Sequence, residues 1–392
     1  MDVQSTEENI KRMKLKKIEI NGYKSIDSIG QSIEFGDVTV LLGANGAGKS
    51  NLVSFFKLLN SMTTGSLQVF IGQEGYADSL LHYGAKTTPV IRAKLIFEDE
   101  KLNTDTYDFT LAHASGDTLI FTQENVTWRQ HQHKIPKPFE INLGVGHSES
   151  KLPENAKLSQ EEKKSKPCKI LLNLLRSCRV YQFHDTSNLA KIRNFGYIGD
   201  HEYLRSDAGN LAAFLHVMRN KKEWEKYYER IVRHIRMIIP QFGDFILKPS
   251  PLNDNQIRLD WNESGSDYRF GPHQLSDGGL RFMAMATLLL QPPELIPGAI
   301  LIDEPELGLH PVAISALAGM IHSASEYSQV IVATQSPRLV DEFGANVITV
   351  VERDEKKKCS LFKRLDEKEL KEWLDRYTLS ELWEKNVFGG RP

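Results

Sequence analysis

Cysteine is scarce: the chain of 392 residues has 3, at Cys168, Cys178 and Cys359, and no two of them form a CxxC pair. Neither a zinc site nor a disulfide framework follows from that pattern. Apolar runs are short, none approaching the roughly 18 residues a membrane span needs. Net charge is nearly absent at −2, so no global basic field points to nucleic acid or a membrane, although a local basic face stays open. Met1 to Lys17 is polar and lacks a signal peptide's apolar core, which makes a cytoplasmic location the expectation. Hydrophobic residues at 40% and charged residues at 26% describe an ordinary globular chain, long enough for one large domain or two to three lobes. No internal repeat is visible.

One stretch carries chemistry at once. Val38 to Leu42 is a β-branched and aliphatic run that reads as a buried strand. Gly43-Ala-Asn-Gly-Ala-Gly-Lys49-Ser50 then fits G-x-x-x-x-G-K-[ST], and Leu52 to Leu59 continues as an apolar helix. Glycines let the backbone turn its N–H groups toward anionic oxygens, and the helix presents its positive end to the same place. Asn45, Gly46, Ala47, Gly48, Lys49, Ser50 and Asn51 are the candidate phosphate-binding residues. Lys49 supplies charge for the β/γ-phosphates, and the Ser50 hydroxyl is placed for Mg²⁺.

Around this stretch, Leu15 to Asn21 and Gln31 to Phe35 read as strands, and Thr63 to Gly75 reads as loop. Val90 to Phe97, Tyr107 to Leu111, Thr118 to Thr122 and Val126 to Arg129 fit an antiparallel meander. Ser148 to Lys166, rich in Glu, Lys, Ser and Pro, reads as an exposed segment. Lys169 to Arg176, Asn210 to Val217 and Lys221 to Ile239 read as helices. The last is aromatic and basic, which invites a DNA-binding reading, but its near-helical apolar spacing favours a lobe helix. Ile257 to Trp261 and Tyr268 to Phe270 fit a hairpin, and Asp366 to Asn386 an amphipathic helix. His131 and His133 lack a third ligand and read as a solvated loop.

Further on, Ala299-Ile-Leu-Ile302 is an apolar strand ending in Asp303-Glu304. An aspartate there reaches Mg²⁺ through water, and the next carboxylate serves as general base for an attacking water. Leu275-Ser-Asp-Gly-Gly279 opens an aliphatic helix, where Ser276 and Gly278 offer a hydroxyl and an N–H to an anion.

Together these residues resemble the ABC-type ATPases of the RecF/SMC group. Gly22-Tyr-Lys-Ser25 is similar to that group's "GFKS" opening, and Leu275 to Gly279 to its signature. Asp303-Glu-Pro-Glu306 resembles Walker B with its catalytic glutamate, Glu306 to His310 the D-loop, and Ala333-Thr-Gln-Ser-Pro337 the switch motif. LHYGAK, LIDEPELGLHP and ELWEKNVFGG further resemble stand-alone bacterial AAA family ATPases related to the ATPase module of OLD nucleases. Two positions depart from the pattern. Gln335 stands where most of these ATPases have histidine, and an amide cannot relay a proton. The signature reads LSDGG rather than LSGGQ.

The resemblance implies an α/β, ABC-type P-loop fold with a mixed nucleotide-binding sheet lobe, an antiparallel β subdomain and an α-helical signature lobe. The expected divisions are a polar extension (1–13), the N-terminal nucleotide-binding part with the β subdomain (14–146), an insert with the signature lobe (147–298), the C-terminal nucleotide-binding part (299–365) and a helical tail (366–392). It further implies ATP and Mg²⁺ as cofactors, with Ser50 and Asp303 on the metal and Glu304 and Gln335 at the reaction. Gln68 or Gln73 would be the metal-contacting glutamine, Gln68 being favoured by the family pattern. Ser276, Asp277 and Gly278 would act on ATP held by a second copy, giving a head-to-tail homodimer, with higher oligomers left open. The implied function is a slow ATPase switch in phage defence or DNA maintenance, acting through a separate effector such as a Toprim-like nuclease, with DNA as a further candidate partner and no membrane. A non-hydrolysing ATP-gated clamp is the alternative, and a transporter subunit a more distant one.

Overall fold

The computed structural model describes residues 13–131, 138–159 and 164–391. The expected polar extension therefore lies almost wholly outside the described residues, as does His133. The chain divides into two compact units: the described residues of Met1–Arg179 with Ala345–Pro392, and Val180–Gly344.

In the first unit, a 6-stranded antiparallel sheet runs in the order Gln31–Glu34, Lys14–Asn21, Val90–Glu98, Thr104–Ala114, Thr118–Arg129, Phe139–Asn142. Alternation sets its two faces: Leu15, Ile18 and Ile20 point inward with Ile91, Leu95, Phe97, Tyr107, Phe109 and Phe121, all buried. Helix Ser165–Ser177 packs on the strands Thr104–Ala114 and Thr118–Arg129 and against helix Lys49–Thr64. Beside this sheet, Val38–Leu42 is buried throughout and pairs in parallel with Ile348–Asp354, which pairs antiparallel with Cys359–Arg364. A strand covered on both faces needs such an uninterrupted apolar run.

Several sequence expectations change here. Thr118 to Arg129 is one strand, not two; a register shift opposite Thr110 and Leu111 absorbs the polar break. Leu67–Gln73 is a helix where a loop was expected, and it buries Leu67 and Ile71. The described part of the 148–166 segment is held rather than exposed at its start. Glu124, fully buried, accepts hydrogen bonds from Tyr107 Oη (2.6 Å), His147 Nε2 (2.8 Å), the Lys151 amide (3.0 Å) and Ser150 Oγ. The C-terminal helix is two short ones, Glu367–Leu374 and Leu379–Glu384, because Thr378 caps the second in a capping box with Glu381.

In the second unit, Ala299–Asp303 pairs in parallel with Gln329–Thr334. Helix Asp277–Leu290 is buried on nearly all sides and packs against Glu225–Ile238, Leu211–Asn220 and Pro311–Ser325. The basic-aromatic helix buries Tyr228, Ile231, Val232 and Ile235, with the Tyr228 hydroxyl donating to Asp244 at 2.6 Å. It is thus a packed lobe helix. The expected hairpin is replaced: Asp260–Glu263 pairs with Phe242–Ile246, and Phe270 meets Trp261 only at an isolated bridge.

Candidate nucleotide site

The phosphate loop leaves its strand at Gly43 and enters helix Lys49–Thr64 through Gly46 (φ 78°) and Gly48 (φ 115°). A side chain at Gly48 would lie 2.1 Å from Ser360 Oγ as well as in the left-handed region, so only glycine fits. Lys49, 4% exposed, folds back and donates to the carbonyls of Gly43 (2.6 Å) and Ala44 (2.9 Å). Asn45, Gly46 and Ser50 are exposed, while Ala47 is buried. The loop is braced from outside itself. Ser360 Oγ contacts both Ala47 O (2.5 Å) and Ser25 Oγ (2.7 Å), and Asn51 Nδ2 donates to Ser25 Oγ (2.7 Å). The Ala44 amide donates to Gly390 O at 3.2 Å, so the C-terminal Gly-Gly pair is a second brace. Neither Ser360 nor Gly390 carries a local sequence signal of that role.

In the second unit, Asp303 ends its strand 5% exposed. Gln182 Nε2 donates to its Oδ2 at 2.9 Å, and His184 Nε2 bonds its main-chain oxygen at 2.9 Å. A carbonyl only accepts, so Nε2 is the protonated nitrogen of His184. Asp303 Oδ1 is buried with no partner among the described residues. Glu304 follows with φ 44°, a left-handed conformation that costs a non-glycine residue about 1–3 kcal/mol. Its amide donates to Ala333 O at 2.8 Å, and Gln335 Nε2 donates to its carboxylate at 3.1 Å. Glu306 accepts from Thr334 Oγ1 (2.5 Å), while its Oε2 is buried without a partner among the described residues. Burial raises the Glu306 carboxyl above its usual range.

The signature residues open helix Asp277–Leu290. Ser276 is its N-cap, accepting from the Gly279 amide at 3.1 Å. A Cβ on Gly278 would lie 2.2 Å from Gly308 O, so the helix start rests on the D-loop backbone. Asp277, although exposed, is paired with Arg193 at 2.7 Å, and that guanidinium holds its carboxyl below the usual range. Arg193 also donates to Thr186 O (2.7 Å) and Leu275 O (3.2 Å). Arg281 grips the same strap, donating to Phe183 O (3.1 Å) and His184 O (2.9 Å). Residues 182–186 thus touch Asp303 through Gln182 and His184, and Arg281 and Arg193 through Phe183, His184 and Thr186.

An AAA ATPase domain family matches residues 13–201, and an AAA domain family described with the AbiEii toxin of type IV TA systems matches 184–341. The fold is similar to the SMC head bound to the C-winged helix domain of ScpA: 15% identity, TM-score 0.55, covering 91% of this chain and 99% of that one. It is also similar to the SMC head with an extended coiled coil bound to the C-terminal domain of ScpA, from Pyrococcus furiosus: 16% identity, TM-score 0.52, 93% and 99% covered. The chain thus shares the fold of these SMC heads, and two AAA domain models match successive parts of it. No curated protein sequence matches it.

For an ABC-type ATPase, the donor set around Asp303 fits Mg²⁺. One carboxylate oxygen is fixed by Gln182 and the other is buried without a partner among the described residues. Among the described residues no group of three or more His, Cys, Asp and Glu side chains could hold a metal by itself. Mg²⁺ ordinarily takes one or two carboxylates, with phosphate oxygens and waters completing its shell. Gln182, just after strand Cys178–Tyr181, is a glutamine that touches Asp303, and it was not among the sequence candidates. The favoured candidate, Gln68, uses its amide inside the β subdomain instead. It donates to Ser148 O (2.7 Å) and Leu119 O (3.1 Å) and accepts from Thr118 Oγ1. Gln73 is exposed near the end of the same helix.

Proposed function

We propose that this ATPase domain binds Mg-ATP and hydrolyses it slowly. Lys49 and the amides of residues 45–51 would hold the phosphates, and Ser50 and Asp303 the metal. Mg²⁺, when bound, supplies charge neutralisation at the phosphate oxygens. Glu304 would accept the proton of the attacking water while Gln335 holds its carboxylate. The observation that carries this reading is the strained Glu304, fixed by Gln335 directly after a buried aspartate with one oxygen left over. Backbone strain persists where surrounding bonds over-determine it, as they do here.

The chain has one phosphate loop and one signature, which supports closure of ATP between two copies, head to tail. Ser276 and Gly278 would then act on the partner's nucleotide. Asp277, tied to Arg193, would steady the signature rather than reach the phosphate. That two similar SMC heads were solved bound to ScpA domains supports a switch read by a separate protein. A nuclease effector in phage defence, or a DNA-maintenance partner, fits that role. A second reading, an ATP-gated clamp with negligible turnover, is favoured by Gln335, which cannot relay a proton.

Light scattering of the Glu304→Gln variant tests the trans site: Mg-ATP should convert it from monomer to dimer, and a variant that stays monomeric contradicts the model of shared sites. The proteins retained by that dimer identify the effector.

A further inference from the structure

We propose that Tyr83, held by Arg353, is the platform on which the base of the bound nucleoside triphosphate stacks; this rests on the ATP-binding reading above. Leu81 to Gly84 is a tight turn, with the Gly84 amide donating to Leu81 O at 3.2 Å. Tyr83 occupies its third position with φ 54°, where glycine is the usual residue. A bulky aromatic is thus kept in a costly conformation with much of its ring in solvent: Tyr83 is 54% exposed.

The ring is nevertheless fixed. Its hydroxyl accepts from Arg353 at 2.9 Å, and His82, 6% exposed, meets its edge at 4.7 Å between centroids. His82 in turn bonds Lys24 O through Nδ1 at 2.8 Å. An exposed, pre-positioned aromatic with a guanidinium beside it is the chemistry that takes the π-face of a base.

Two independent connections place this pair beside the phosphate loop. The Lys24 amide donates to Leu80 O (2.8 Å) and the His82 amide to Gly22 O (3.1 Å), pinning the turn to the segment that ends in Ser25. On the other side, Arg353 lies directly across the ladder from Ser360. Cross-strand partners project to the same face. Ser25 and Ser360 are the residues that brace Ala47 and Asn51 of the loop. A ligand whose phosphates fill the loop would carry its base toward Tyr83. The platform therefore selects nucleoside triphosphates over inorganic polyphosphate.

Calorimetric titration of the full chain with ATP and with inorganic triphosphate tests this. Wild type should bind ATP about tenfold or more tighter than triphosphate. Tyr83→Ala should erase that difference by weakening ATP alone, whereas Tyr83→Phe, which keeps the ring, should retain it. Equal binding of ATP and triphosphate by wild type overturns the platform without touching the phosphate site. An unchanged ATP affinity in Tyr83→Ala, or an equal loss for both ligands, also overturns it. Binding of neither ligand by wild type defeats the ATP-binding reading itself.

Discussion

Gln335 donates its side-chain amide to the Glu304 carboxylate at 3.1 Å, joining the end of one parallel strand to the residue after its neighbour. An amide in that place would orient Glu304 as the proposed base but give it no route to pass on a proton. A hydrogen bond to a charged group contributes about 1.5–3 kcal/mol. Gln335→Ala should therefore slow single-turnover hydrolysis by about ten- to a hundredfold with ATP affinity unchanged. Gln335→His should speed it. Equal single-turnover rates in all three proteins would remove Gln335 from the reaction.

Gln182 and Gln68 should separate cleanly on mutation. Gln182→Ala strips Asp303 Oδ2 of its donor, and loss of such an outer partner weakens metal binding by about 10–100-fold. The Mg²⁺ concentration for half-maximal phosphate release should rise accordingly. Gln68→Ala breaks bonds within the β subdomain, so it should lower the melting temperature and leave the Mg²⁺ dependence where it was.

Gly278→Ala places a methyl 2.2 Å from Gly308 O. Backbone cannot yield as a flexible side chain would, and overpacking of this kind costs about 1–3 kcal/mol. The signature helix should shift, so nucleotide-driven dimerisation measured by light scattering should be lost. ATP binding at the phosphate loop should persist in calorimetry.

Asp105 gives a pH dependence independent of nucleotide. It is 2% exposed, one carboxylate oxygen has no partner among the described residues, and burial raises its carboxyl from 3.8 to about 7. A raised acid favours the fold while protonated, so its contribution is fully present below about pH 4 and is lost as pH rises through about 7. Asp105→Asn should be more stable than wild type at pH 8 by a few kcal/mol, and the gap should shrink toward pH 5. Thermal melts at the two pH values check this.

Much of the fold was legible because it is local. The all-apolar run at Val38 to Leu42 and the Ser276 cap before an aliphatic stretch announce their elements in their own residues. The bracing of the site was not. Ser360 and Gly390 reach the phosphate loop from the far end of the sequence. Gln182 meets Asp303 across 121 positions. No periodicity records a contact of that range, and a strand-end glutamine looks like any other polar terminus. Leu67–Gln73 was missed for a related reason: it is short and follows a glycine, and its packing on the sheet and the adjoining helices is not written in its own residues.

Steady-state phosphate release by purified wild type and Glu304→Gln, with Mg-ATP and with and without DNA, bears most directly on the proposed activity. The expected result is slow, Mg²⁺-dependent release by wild type that falls by about 10²–10⁴-fold in Glu304→Gln, with ATP still bound. No release by wild type under either condition, or equal release by the two proteins, would contradict Glu304 as the base of an ATPase.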